Sequence, residues 1–191
     1  MRDPALTNSG LLLLRVLLGI LLAAHGGLKF LQPGGLDFEA DLLAKDGLRG
    51  GLPAAAVSGI TQVGAGALLA MGLLTPLAGA GAIGALVVAV FAKAHNGFWV
   101  AQDGAEFPLM FVVLGIVVTL VGPGQWSLDH ALHFAPTTAE TLGAIALGLL
   151  SGAATFPALR QQRTEPKHAR LAAADVTTSS AFENSERTVH D

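Results

Sequence analysis

The chain has no cysteine in its 191 residues. That excludes a disulfide framework, thiol redox chemistry, Cys-ligated zinc and iron–sulfur clusters held by this chain alone. Charge is also scarce. Asp, Glu, Lys and Arg make up 13%, half the ~25% of an ordinary soluble domain. So little charge cannot cover a water-facing surface, and a soluble enzyme is excluded. Nor is there a basic excess: the net charge is −3 and the pI near 6.0, so nucleic acid is no expected partner. What is plentiful is apolar: 52% hydrophobic residues, a mean hydropathy of +0.58 and 24 glycines. That is the composition of helices packed closely in lipid, and it predicts an all-α membrane protein.

Between Arg49 and Lys93 lie 43 residues without a charge. A spanning helix needs about 20 apolar residues, so the run holds two spans joined by a tight turn at Leu74-Thr75-Pro76. Thr75 is the expected N-cap and Pro76 the first helical position. The spans are expected at 53–74 and 77–99, the latter ending at Asn96-Gly97. A further span at 106–122 stops at Gly122-Pro123-Gly124. The first span covers 9–31; Arg15 within it and the lack of a small-x-small cleavage site argue against a signal peptide. A fifth segment, 138–159, opens with a capping box from Thr137 to Glu140. It carries Ala144, Gly148 and Gly152 as a stripe for close helix contact. From Arg160 the chain turns polar, and the tail 160–191 is expected to be mostly disordered. The predicted architecture is a four-helix transmembrane bundle with a fifth C-terminal transmembrane helix, multi-pass in the cell membrane. With five spans and the N-terminus outside, nine Lys and Arg face inward and only Arg2 faces outward, which selects N-out/C-in.

Ionisable groups inside a bilayer cost several kcal/mol, so the few present are candidate functional residues. Arg15 lies within span one, where it either snorkels or faces the bundle. On a helical wheel His25 falls about 80° and Lys29 about 40° from it, a polar stripe beside Gly26 and Gly27. Gln62 sits near the middle of span two, as an interhelical hydrogen-bonding group or a ligand contact. Alternating helix direction brings His25, Lys29, Lys93, His95, Asn96, Trp99 and Glu106 to one rim. His25, His95 and Glu106 are of ligand type for zinc or non-haem iron, and the two His for haem. No tight local spacing supports either, and neither metal nor haem is expected. His130 and His133 read as a surface amphipathic turn.

Several segments resemble the DoxX family. These are Arg15-Val-Leu-Leu-Gly19 with His25-Gly26-Gly27-Leu28-Lys29-Phe30, Gly72-Leu73-Leu74-Thr75, His95-Asn96-Gly97-Phe98, Glu106-Phe107-Pro108-Leu109, and Gly122-Pro123-Gly124-Gln125-Trp126-Ser127-Leu128-Asp129. The likeness covers about residues 9–130. It implies a compact four-helix membrane core at 1–136, with 137–159 an added hydrophobic helix. It also implies a link to membrane oxidoreductase systems, including thiosulfate:quinone oxidoreductase subunits, and in actinobacteria to complexes handling oxidative and thiol stress. Carried onto this chain, its candidate functional positions are Arg15, His25, Lys29, His95, Asn96 and Glu106. The chain departs from the family at Gln62, where an acidic residue is common, and at Pro76, where a basic one is.

Two classes of function follow. One is a membrane subunit of an oxidoreductase or redox-stress complex, binding quinone or a partner enzyme at the His25/Lys29/His95/Glu106 rim. The other is a non-catalytic module for binding or transporting a small molecule or anion, or a scaffold whose basic tail recruits cytoplasmic partners. The lipid bilayer is the expected surrounding, and oxidoreductase subunits or a second copy of the chain are candidate partners. No catalytic residue is assigned.

Overall fold

The structure is a computed structural model and describes residues 4–160; the expected tail beyond Arg160 lies outside the described residues. Among the described residues seven α-helices follow one another: α1 (Pro4–Leu31), α2 (Gly35–Lys45), α3 (Gly51–Met71), α4 (Thr75–Lys93), α5 (Glu106–Val121), α6 (Leu128–Ala131) and α7 (Thr138–Leu159). Two single 3-10 turns, Ala94–Asn96 and Val100–Gln102, fill the α4–α5 loop. Among the described residues there is no strand, only an isolated bridge between Leu48 and Arg160.

α1, α3, α4 and α7 are long and apolar enough to cross a bilayer, and α5 is a shorter apolar helix. Packing places all five in one slab. α1 and α3 run antiparallel through a seam of small residues. A Cβ on Gly19 would lie 2.5 Å from the Gly66 carbonyl oxygen, and one on Gly26 would lie 2.7 Å from that of Gly59. Backbones this close exclude any side chain larger than hydrogen and bring many weak dispersion contacts together. α4 lies at the centre, against α3, α5 and α7. α5 runs antiparallel to it, with Gly79 opposite Thr119 and Gly115 opposite Ile83. α7 runs parallel to it: Gly148 meets Ala80 and Ile83, and Gly152 meets Gly84 and Val87. The predicted small-residue stripe is therefore the α7 contact face, and the capping box at Thr137 and Glu140 is present.

The core runs along this seam through Leu18, Leu22, Leu69, Ile83, Val112, Val118 and Ile145. Outward, Leu13, Leu17, Ile20, Leu21, Val57, Ile60, Leu147 and Leu150 are exposed. Apolar side chains on both faces of every long helix require lipid as solvent.

Three local expectations are corrected. Leu74, not Thr75, is the N-cap residue of α4, and its left-handed backbone (φ 48°) leaves no side-chain cap of its own. α4 ends at Lys93, and Asn96-Gly97 closes a 3-10 turn rather than an α-helix. α2 fills a stretch with no predicted helix; its Leu36, Glu39, Leu42 and Leu43 recur at helical spacing on the partly buried side.

Candidate functional site

The predicted polar stripe on α1 is split between the two ends of the bundle. Arg15 and Lys29 are separated by 14 residues of helix, roughly 21 Å of rise, and each is buried in its own cluster.

At the Arg15 end, the guanidinium is 1% exposed. Nη1 donates to the Pro123 carbonyl and Nη2 to that of Trp126 at 2.7 Å, while Nε is buried without a partner. Two planar donor groups aimed at loop carbonyls suit arginine and not lysine. Gly72 makes room: its φ is 64°, and a Cβ there would lie 2.6 Å from Arg15 Cζ. The counter-charge is Asp129, which is fully buried and attracts the guanidinium. Its carboxylate accepts from Leu74 N at 2.7 Å, Thr75 N at 2.9 Å and Thr75 Oγ1 at 2.7 Å. It thereby caps α4 from a distant segment, where the positive end of the helix dipole favours an anion. Its own N–H donates to the Gly72 carbonyl at 2.8 Å. Sequence reading quoted Asp129 but gave it no role. The available signal was a lone acid closing the long uncharged run from Phe107, with an intramembrane arginine to match.

At the opposite end, Lys29 is 6% exposed. Its Nζ contacts Glu39 Oε1 of α2 at 2.5 Å and donates to Ser58 Oγ of α3 at 2.9 Å. Gln62 lies one turn beyond Ser58, over Gly26. It is 6% exposed and its Oε1 is buried with no donor. The interhelical hydrogen bond expected of that oxygen is absent among the described residues. Glu39 was missed because α2 was.

The remaining candidates form a separate loop network. Lys93 bridges Asp46 Oδ2 at 3.1 Å and Asp103 Oδ2 at 2.9 Å, tying the α2–α3 loop to the α4–α5 loop. Asn96 Nδ2 donates to the Asp103 carbonyl at 3.1 Å, and Glu106 Oε2 accepts from Val100 N at 2.9 Å. The hydrogen bond from Lys93 holds the exposed Asp103 carboxyl below its usual range. His25 and His95 are both exposed; His95 Nδ1 donates to the Ala92 carbonyl at 2.6 Å. The predicted rim is divided: Lys29 turns inward between α1 and α3 with the exposed His25 within reach of its charge and that of Glu39, while His95 and Glu106 belong to the α4–α5 loop. Among the described residues no three His, Asp or Glu side chains converge as metal ligands, so His25, His95 and Glu106 are not such a set. His133, with φ 57°, lies past the end of α6 and off the helical face of His130.

An all-α bundle with apolar outer faces and buried charges only at its ends defines a multi-pass integral membrane protein, which fits the expected cell-membrane location. The chain belongs to the DoxX family. That family's profile matches residues 10–95. The chain is also 30% identical over 138 residues to the uncharacterised membrane protein Rv3486 of Mycobacterium tuberculosis, a match covering 62% of this chain and 78% of that one. No solved structure matches it significantly.

Proposed function

We propose that the chain is the membrane subunit of an oxidoreductase or redox-stress assembly and that it binds a quinone at the Lys29 end of the α1–α3 seam. The observation that carries this reading is the buried Gln62 Oε1 with no donor, one turn from Ser58 and its partner Lys29. A buried acceptor left unpaired costs ~1–3 kcal/mol, and a hydroxyl donor would recover it. A quinol O–H is such a donor. The oxidised carbonyl in turn accepts from Lys29 Nζ or Ser58 Oγ. The same three groups can therefore hold both oxidation states, and Ser58 lines a cleft open to the membrane, which supplies a route from lipid. Membership in the DoxX family supports the redox setting. With no cysteine in the chain, the electrons come from substrate or from a partner protein.

Titration of purified protein with a short-chain quinone and its quinol tests this. Gln62→Leu should weaken the quinol more than the quinone, and Ser58→Ala the quinone at least as much. Equal binding of both forms by wild type and both variants would leave the alternative, a non-catalytic binding or scaffolding module, as the better reading.

A further inference from the structure

α3 and α7 both pack on α4 but hardly touch each other. Between them runs a lateral cleft of about 520 Å³. Its floor is the small-residue face of α4, with Gly81 and Gly84, and its walls are mostly apolar. Two wall hydroxyls, Thr61 of α3 and Thr155 of α7, have no hydrogen-bond partner among the described residues. At its Lys29 end the cleft closes against Leu43, Gly50 and Leu159. There the chain segments before α3 and after α7 meet: Arg49 N donates to the Leu159 carbonyl at 2.6 Å, and Leu48 bridges Arg160. The backbones of Arg49 and Arg160 are therefore brought together at the mouth of an apolar slot lined by their neighbours Gly50 and Leu159. Both arginines are exposed, and among the described residues neither guanidinium meets a carboxylate. Arg160 lies over the Phe156 ring, 5.8 Å from its centre, one residue past Leu159 of the cleft lining.

We infer that this cleft is a binding site for one anionic phospholipid, with an acyl chain between α3 and α7 and the phosphate between Arg49 and Arg160. Three features select that ligand. The slot is apolar and faces the bilayer, so it takes a hydrocarbon chain and not a solute. The unpaired arginines lie at the helix ends, at headgroup level, where guanidinium groups recognise phosphate in a bidentate manner. Thr155, five residues before Arg160, offers a donor at the level of the ester carbonyls that join chain to headgroup, while Thr61 lies about 15 Å down α3, beside the acyl chain. The occupant would also fill the gap that α3 and α7 leave, and so hold α7 against the rest of the bundle. This site shares the cleft and Ser58 with the quinone's route from lipid, but Arg49, Arg160, Thr61 and Thr155 take no part in the quinone reading.

The test is native mass spectrometry of the full chain with phosphatidylglycerol, phosphatidylcholine or free glycerol 3-phosphate added. One phosphatidylglycerol should be retained in preference to phosphatidylcholine, and glycerol 3-phosphate should not displace it. Each arginine near the headgroups should contribute about fivefold. Arg49→Gln with Arg160→Gln should therefore erase the preference, and Arg49→Lys with Arg160→Lys should keep most of it. Thr61→Phe, which fills the slot, should weaken both lipids together. Equal retention of the two lipids by wild type overturns the site, even if no variant folds. So does a preference that persists in the double Gln variant, because the tail would then carry it. Displacement by glycerol 3-phosphate alone would make this a free-phosphate site and not a lipid site.

Discussion

Asp129 and Thr75, 54 positions apart, share two hydrogen bonds at the start of α4: Oδ2 accepts from the Thr75 amide at 2.9 Å and from its hydroxyl at 2.7 Å. The same carboxylate accepts from Leu74 N and faces Arg15. One fully buried side chain thus caps the central helix, anchors the α5–α7 loop on the α3–α4 turn and neutralises the arginine of α1. No other residue among those described ties together four segments in this way.

Removing Asp129 should be among the most damaging single changes. Asp129→Ala deletes the cap, worth ~1–2 kcal/mol. It also leaves buried donors and an unbalanced guanidinium, which raises the total to about 3–5 kcal/mol. Asp129→Asn keeps one of the two acceptor oxygens and the side-chain volume, and should cost less than Asp129→Ala. Thermal unfolding in detergent checks both; a Tm for Asp129→Ala equal to that of wild type would refute the role.

Arg15→Ala strands the carbonyls of Pro123 and Trp126, so it should lower stability by ~1–3 kcal/mol. Arg15→Lys restores the charge but not the two-pronged geometry, and should recover only part of the loss. A double-mutant cycle with Asp129→Asn should show coupling. Additive losses would mean that the two act separately.

Gly26→Val places a branched side chain where a Cβ already comes within 2.7 Å of the Gly59 carbonyl and of Gln62 Cβ. The seam between α1 and α3 cannot yield without parting, so the variant should unfold at least 10 °C lower in detergent or fail to accumulate. Gly27→Val, at a position where a Cβ would meet only Leu31 Cδ1 at 4.0 Å, should insert and melt like wild type. Equal behaviour of the two variants would show that the seam is not close-packed.

The Lys93–Asp103 pair predicts a modest acid sensitivity. Asp103 titrates below its unfolded value because the ammonium of Lys93 stabilises the carboxylate. Its contribution is therefore present above the unfolded pKa of about 4 and lost as pH falls through the lower, folded pKa. The carboxylate is largely exposed, so the loss is small. Asp103→Asn should remove that part of the decline in Tm on acidification while leaving the fold intact. An unchanged acid limb would refute the link.

Topology is checked by reporter fusions at Gly35, Pro76, Gln102, His130 and the C-terminus, expected to read in, out, in, out, in. A C-terminal reporter on the outside would overturn the orientation drawn from the basic residues.

The sequence by itself determined the class and the helices. Long uncharged runs, the turn at Leu74-Thr75-Pro76 and the breaker Gly122-Pro123-Gly124 mark elements whose backbone groups must be satisfied internally once in lipid. The positions of the long helices accordingly agree with expectation to within a few residues, the N-terminal extension of α1 and the C-terminal end of α4 apart. Even the contact face of α7 was legible, because Gly148 and Gly152 recur at helical spacing, although not that α4 would be its partner. The sites were not. A helical wheel gives the angle of Arg15, His25 and Lys29 around α1, and those angles are similar. It cannot say which part of that arc neighbouring helices cover, nor that Arg15 and Lys29 stand at opposite ends of the bundle. Only tertiary structure decided that Arg15 and Lys29 are buried while His25 faces outward. Only tertiary structure brought Asp129 under α4, Glu39 onto Lys29, and Arg49 beside Arg160. Each of these pairings joins residues on different elements, and their partners are chosen by packing of distant segments, which local spacing does not encode.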